Sequence, residues 1–400
     1  MIYKTYTMEN ALEAIIDYRG KTPKKADTGI PALSAKSVKN NYIDYNACYY
    51  ISPEEYKRFM VRGKPQKGDI LLTTEAPMGM VACLDRDDVA IAQRLLTLRG
   101  KENILDNNYL LYYLQSPIGQ ALLRARETGT TVTGIKQSEF KKIQISIPDI
   151  EVQRKIETIL RTIDKKIVVN ESINRNLSEL LNLMYKNDYL DEVVNHKDWI
   201  EVTMDDITSK FATGLNPRKN FVLGHGENYY VTIKNMNNNR VYLDSKCDMV
   251  DDDALVKINK RSDLQVGDLL FSGIGTIGRV HLIDEPPTNW NISESIFTMR
   301  PSKVVTSEFL YLLLLSYDMQ DYALSLASGS VQKGIRMADL KRYKLYLPSK
   351  EDMDRLTFTW KPLIDQIKKF ERENDELAIL RDTLLRKLMS GELDVSNLNI

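Results

Sequence analysis

A chain that repeats its own sequence at an interval of about 200 residues builds one structural unit twice, which leaves few architectures open. Gly68-Asp69-Ile70-Leu71-Leu72 returns as Gly267-Asp268-Leu269-Leu270-Phe271, and Leu95-Leu96-Thr97-Leu98-Arg99 returns as Ile296-Phe297-Thr298-Met299-Arg300. Further on, Thr128-Gly129-Thr130-Thr131-Val132-Thr133-Gly134-Ile135 pairs with Ser328-Gly329-Ser330-Val331-Gln332-Lys333-Gly334-Ile335, and residues 140–148 pair with 340–348. The matches keep their order along the chain while the offset drifts by only a residue or two, which chance does not supply.

Each copy begins with short strand-like runs, at 69–73, 81–84 and 144–147 and again at 268–272, 279–283 and 344–347, punctuated by Gly, Pro, Asn and Asp. Pro148 or Pro348 closes the globule, and the stretch that follows carries heptad spacing without glycine. Ile156, Ile163, Asn170, Leu177 and Met184 stand seven apart, with Leu160, Ile167, Asn174 and Leu181 between them. The second copy has Leu356, Leu363, Phe370, Leu377 and Leu384 alongside Trp360, Ile367, Asn374, Arg381 and Leu388. Two apolar seams of equal length in one chain predict coiled-coil helices that pack on each other through Ile163, Ile167, Asn174, Leu177, Leu363, Ile367, Asn374 and Leu377. The alternative is that each helix packs only on its own globule. Asn174 and Asn374 either fix register from core-type positions or face solvent. The expected fold is α+β: globules at 1–148 and 191–348, a central helix at 149–190 and a closing helix at 349–400.

With 43% apolar residues the chain can bury real cores, and its length suits two or three domains. The strongest apolar run, 309–315, is far below the roughly 20 residues of a membrane span, and MIYKTYTMENALEAIID lacks a basic start before an apolar core. A soluble, unprocessed, cytoplasmic protein is expected. Cys48, Cys83 and Cys247 stand apart with no Cys-x-x-Cys, which suggests neither a disulfide framework nor a zinc site. Net charge is zero, which argues against gripping nucleic acid by bulk electrostatics. Residues 1–148, however, carry 21 basic side chains against 16 acidic, while 149–198 carry 8 against 10 and 349–400 carry 9 against 11. Any DNA contact therefore belongs to the globules, with partners supplying further positive surface.

Ile16-Asp17-Tyr18-Arg19-Gly20-Lys21-Thr22-Pro23 with Ser34-Ala35-Lys36 soon after, the Gly-Asp-[Ile/Leu]-Leu strand, the loop Ser330-Val331-Gln332-Lys333-Gly334-Ile335 and the ending Leu384-Leu385-Arg386-Lys387-Leu388-Met389-Ser390-Gly391-Glu392-Leu393 occur in a fixed order. In that order, within a globule-helix-globule-helix duplication, they resemble the specificity subunits of type I restriction-modification enzymes over nearly the whole chain. The resemblance implies two target-recognition domains on antiparallel helices, each reading one half of a split double-stranded DNA site, with the helices setting the gap. It implies two methyltransferase subunits and motor-nuclease subunits as partners, and no catalysis by this chain. Because the globules differ, the half-sites should differ. A coiled-coil scaffold joining two protein-binding domains is the alternative.

Gly273-Ile274-Gly275-Thr276-Ile277-Gly278 matches a dinucleotide-binding fingerprint, but a strand, not a helix, is expected after it, and the copy Thr74-Glu75-Ala76-Pro77-Met78-Gly79 keeps only the last glycine. The better reading is a hairpin in which Ser272, Thr276 and Arg279, or Thr73 and Thr74, offer donors to DNA, or else a purely structural turn. Thr130 and Lys136, with Ser330, Gln332, Lys333 and Arg336 in the second copy, suit phosphate contact, the alternative being a solvated loop. The basic segment Arg19, Lys21, Lys24 and Lys25, with Lys36 after it, is matched by Arg218 and Lys219; it touches DNA or is a solvated face. His196, His225 and His281 are solitary, and nucleophile elbow, amino-methyltransferase and nuclease motifs are all missing, so no catalytic, metal or cofactor site is read.

Overall fold

A computed structural model describes residues 2–129, 133–329 and 333–398. The chain divides into two compact units, Met1–Val169 with Asn374–Ile400, and Asn170–Glu373. Each unit thus extends beyond the expected globule and takes in part of both long helices. Among the described residues, no helix is long and apolar enough to cross a membrane.

The first unit is built on an antiparallel four-stranded sheet in the order Leu12–Asp17, Leu95–Gly100, Ile70–Thr73, Val81–Cys83. The run Ile70-Leu71-Leu72 is buried throughout because successive side chains point to opposite faces and both faces are covered. Ile70 and Leu72 enter one core with Tyr109, Leu110 and Tyr113 of the helix Asn107–Gln115. Leu71 enters another with Leu33, Ile51 and Ile91 of a second sheet, Tyr49–Ile51, Ile30–Leu33, Ala90–Ile91.

The second unit has the same order, Thr208–Thr213, Ile296–Pro301, Leu269–Ser272, Val280–Leu282, and the same register: Leu269 faces Leu282 as Ile70 faces Cys83. Leu269 and Phe271 fill one core and Leu270 another. A smaller sheet, Asp248–Val250, Asn228–Val231, Trp290–Ile292, covers the second face.

The duplicated Gly-Asp and Thr-Leu-Arg or Thr-Met-Arg motifs meet in each unit. Arg99 grips Asp69 at 2.7 and 2.8 Å, and Arg300 grips Asp268 at 2.8 and 3.0 Å, with both carboxylates 1% exposed. Removing one partner of a buried pair strands the other charge, at about 3–5 kcal/mol. Arg99→Ala is therefore expected to lower the first unit's melting transition by roughly 10 °C in calorimetry; a shift below about 2 °C would show that Asp69 finds water instead.

The first long helix, Ile150–Tyr185, continues through a π-helical turn, Lys186–Leu190; the second runs over Lys350–Ser390. Within the first unit they lie antiparallel, since Arg381 bonds Asp164 (3.1 Å) while Asn374 donates to the Ile167 carbonyl (3.5 Å). Within the second, Asn174 donates to the Ile367 carbonyl (3.3 Å) and Trp360 Nε1 to Asp188 (3.3 Å). The helices pack on the globules as well as on each other. Ile156, Leu160, Leu385, Leu388 and Met389 belong to the core of the first unit, and Leu181, Tyr185, Leu356, Trp360, Ile364 and Ile367 to that of the second. Ile163 is buried; Ile167, Leu177 and Leu377 are half-buried. One seam position shifts: Ile364 is buried where Leu363 was expected, and Leu363 packs on the core's edge. A helix of 3.6 residues per turn drifts off a strict seven-residue repeat, and Trp360 advances the buried face by four. Asn174 and Asn374 are half-buried and bond across the helix pair, so they are not solvent-facing.

Candidate nucleic-acid interface

In the first unit, four loops converge beyond the ends of the main-sheet strands. The loop after Asp17 meets the hairpin tip at 74–79, the turn at 92–94 and residues 133–136. Main-chain bonds fix them: Thr74 N donates to the Arg94 carbonyl (3.0 Å), and Ile135 N to the Thr74 carbonyl (2.9 Å). A side chain at Gly134 would place Cβ 2.6 Å from the Thr74 carbonyl oxygen, so this approach requires glycine. The second unit repeats the bonds, Gly273 N to the Ser295 carbonyl (2.9 Å) and Ile335 N to the Gly273 carbonyl (2.9 Å).

The glycine fingerprint forms the second unit's hairpin tip. Gly275 (φ 85°) and Gly278 (φ 92°) adopt left-handed backbone, and the strand Val280–Leu282 follows, so no helix stands where a pyrophosphate would need one. Gln320 clips the tip by donating to the carbonyls of Gly278 (3.0 Å) and Leu314 (2.6 Å); Gln120 does the same with Gly79 (2.9 Å) and Leu114 (2.8 Å).

Several expected DNA donors are instead internal fasteners. Thr73 and Ser272 are fully buried, their hydroxyls donating to the carbonyls of Pro77 and Thr276 (each 2.6 Å) and accepting from the amides of Met80 and Arg279. Thr74 is 2% exposed and accepts from Arg19 Nη2 at 3.1 Å, which also donates to the Ile135 carbonyl at 3.0 Å. Arg19 therefore staples three loops. Arg279 donates from Nη1 to the carbonyls of Ile233 (2.7 Å) and Met236. The physical reason is common to all five: loops that enclose one another must satisfy their own polar groups first.

The remaining expected cations are exposed: Lys21, Lys24, Lys25, Lys36 and Lys136 in the first unit, and Arg218, Lys219, Lys333 and Arg336 in the second, with Thr276 exposed at the tip. Lys25 lies over the Tyr49 ring at 5.0 Å, and Arg336 pairs with Asp339 at 2.9 Å. Thr130, Ser330 and Gln332 lie outside the described residues.

The structure also brings forward residues that the sequence did not single out. Gln93 donates to Thr22 in the first unit, and in the second Asn216 donates to Glu294 at 2.7 Å, so the same two positions tie the turn to the basic loop. Arg94 pairs with Glu75 at 3.3 Å. Aligning Thr22-Pro23 with Asn216-Pro217 and Ile91-Ala92-Gln93 with Ile292-Ser293-Glu294 could have flagged the tie, whereas nothing in the sequence joins residue 75 to 94. His196 is not solitary, since its ligand atom lies within 4.8 Å of those of Asp198 and Asp352. Asp352 already accepts from Trp199 Nε1 (3.0 Å), Ser349 (2.8 Å) and Arg355 (2.9 Å), and the Trp199 bond first among these holds its carboxyl down at about 2. Its role is to fasten the start of the second long helix.

The profile of a family described as the type I restriction modification DNA specificity domain matches residues 12–179 and again 196–376. The chain is 23% identical over 348 residues to the type I restriction enzyme MjaIX specificity subunit of Methanocaldococcus jannaschii, covering 83% of this chain and 79% of that one. It is 22% identical over 398 residues to the MjaVIII specificity subunit of the same organism, covering 92% and 90%. The crystal structure of a type I restriction-modification S subunit from M. genitalium superposes with a TM-score of 0.59 at 16% identity, covering 97% of this chain and 96% of that one. That last likeness is one of fold.

Proposed function

We propose that this chain, which belongs to the type I restriction modification DNA specificity family, reads a split DNA site with one loop cluster per half-site. The observation that carries the reading is that the same main-chain bonds join three loops in both units, and a side-chain bond between the same two positions ties the basic loop to them, while the exposed side chains differ. Equal scaffolds with unequal surfaces suit two half-sites of different sequence. Exposed lysines and arginines around each cluster supply phosphate contacts that fix register, and base edges are left to the loop tips. The pseudo-repeated globules act as target-recognition domains, and the paired antiparallel helices act as a coiled-coil spacer that sets the gap. Two methyltransferase subunits supply methyl transfer, and motor-nuclease subunits supply cleavage. Sequencing the methylated sites of cells that carry this chain with its modification subunits is expected to return a motif of two unlike halves about a fixed gap. A continuous motif, or one that persists when the chain is deleted, overturns the reading.

A further inference from the structure

We propose that Arg94, held by Glu75, reads a guanine in the half-site bound by the first unit. The inference rests on the function proposed above and narrows it to one side chain. Arg94 lies in the turn between Ala90–Ile91 and Leu95–Gly100 with φ at 69°, a left-handed conformation that glycine or asparagine would fill with less strain. An arginine in such a place serves the turn poorly, so the side chain is what the position keeps. The turn itself is locked, because the Arg94 carbonyl accepts from Thr74 N and the neighbouring Gln93 is tied to Thr22. Glu75, on the adjacent hairpin tip, engages Nε at 3.3 Å while the Arg94 side chain stays 51% exposed. A guanidinium held at Nε keeps its two terminal nitrogens for a bidentate partner, and that fork matches O6 and N7 of guanine in the major groove.

The surrounding lysines do different work. Lys21, Lys24 and Lys136 are exposed point charges that suit phosphates without distinguishing bases. In the second unit, Ser295 and Ile274 occupy the positions of Arg94 and Glu75, and Ser295 Oγ lies 2.7 Å from Ser293 Oγ. No charged pair of this kind is possible there, so the assignment concerns one half-site only.

The test uses the assembled methyltransferase, comparing the unaltered chain with Arg94→Lys, Arg94→Gly and Glu75→Gln by methylated-site sequencing and by binding at several salt concentrations. The glycine variant removes the side chain while easing the backbone, so a folding defect does not mask the result. One guanine position in one half-site is expected to become degenerate in both arginine variants, with discrimination there falling on the order of 10–100-fold, and partly so in Glu75→Gln. The other positions and the salt slope should stay as they were. Weakening on all sequences with a salt slope smaller by about one makes Arg94 a phosphate contact and overturns the proposal, as does an unchanged motif. Failure of the unaltered chain to direct methylation at any split motif refutes the underlying function instead.

Discussion

Replacing residues 1–148 by the first globule of another family member is expected to change one half of the methylated site completely and to leave the other half as it was. Among the described residues, bonds that close the second loop cluster run between residues 213 and 335, outside the exchanged segment. The risk lies in the core of the first unit, where Val152, Ile156, Leu160, Leu385, Leu388, Met389 and Val395 of the retained chain pack against the exchanged globule. A donor whose apolar residues differ at those contacts would leave cavities at about 2–5 kcal/mol per large truncation. A donor carrying the matching helix segments, 149–169 and 374–398, avoids that loss. Methylated-site sequencing of both designs decides the matter. A change in both halves would mean that the units do not read independently.

Inserting seven residues of good helix former after Val169 and seven more after Glu373 is expected to lengthen the gap by about three base pairs with both half-sites unchanged. These points fall on the division between the units, so the pairings of Asp164 with Arg381 and of Asn174 with the Ile367 carbonyl survive. Seven residues add about 10.5 Å to each helix, against a rise of about 3.4 Å per base pair. They turn the helix about 20° short of two full turns, which keeps the apolar seam close to phase. Altering only one helix would mismatch the pair and is expected to abolish binding. An active double insertion with the original gap would show that something other than the helices sets the spacing.

Much of this architecture is legible in the sequence, because it rests on local chemistry repeated twice. Gly-Asp followed by an apolar run specifies a turn and a doubly covered strand, and the heptads specify long helices with a buried stripe. Two copies of each make accident implausible. The paired Arg99 with Asp69 and Arg300 with Asp268 explain why those motifs recur together, although their partnership spans 30 and 32 residues and becomes visible only once the strands align.

The loops of the candidate interface stand out in the sequence because they recur in both copies, but the tasks of the side chains within them do not. Hydroxyl and guanidinium groups in such loops read alike whether they point outward or inward, and the tertiary structure buried Thr73, Thr74 and Ser272 and bonded the half-buried Arg19 and Arg279 to neighbouring loops. Once the loops converged, their buried carbonyls and amides had to be satisfied, and the nearest donors were consumed in doing so. The same convergence set Glu75 beside Arg94, whereas the exchange of Leu363 for Ile364 in the helix seam follows from the drift of the helix off the seven-residue repeat. By itself, then, the sequence determined what is periodic or duplicated: two copies, their strands, their helices and the family to which they belong. Only the tertiary structure decided which polar side chains are fasteners and which remain exposed, because that choice depends on loops that are distant in sequence and have to satisfy one another's hydrogen bonds.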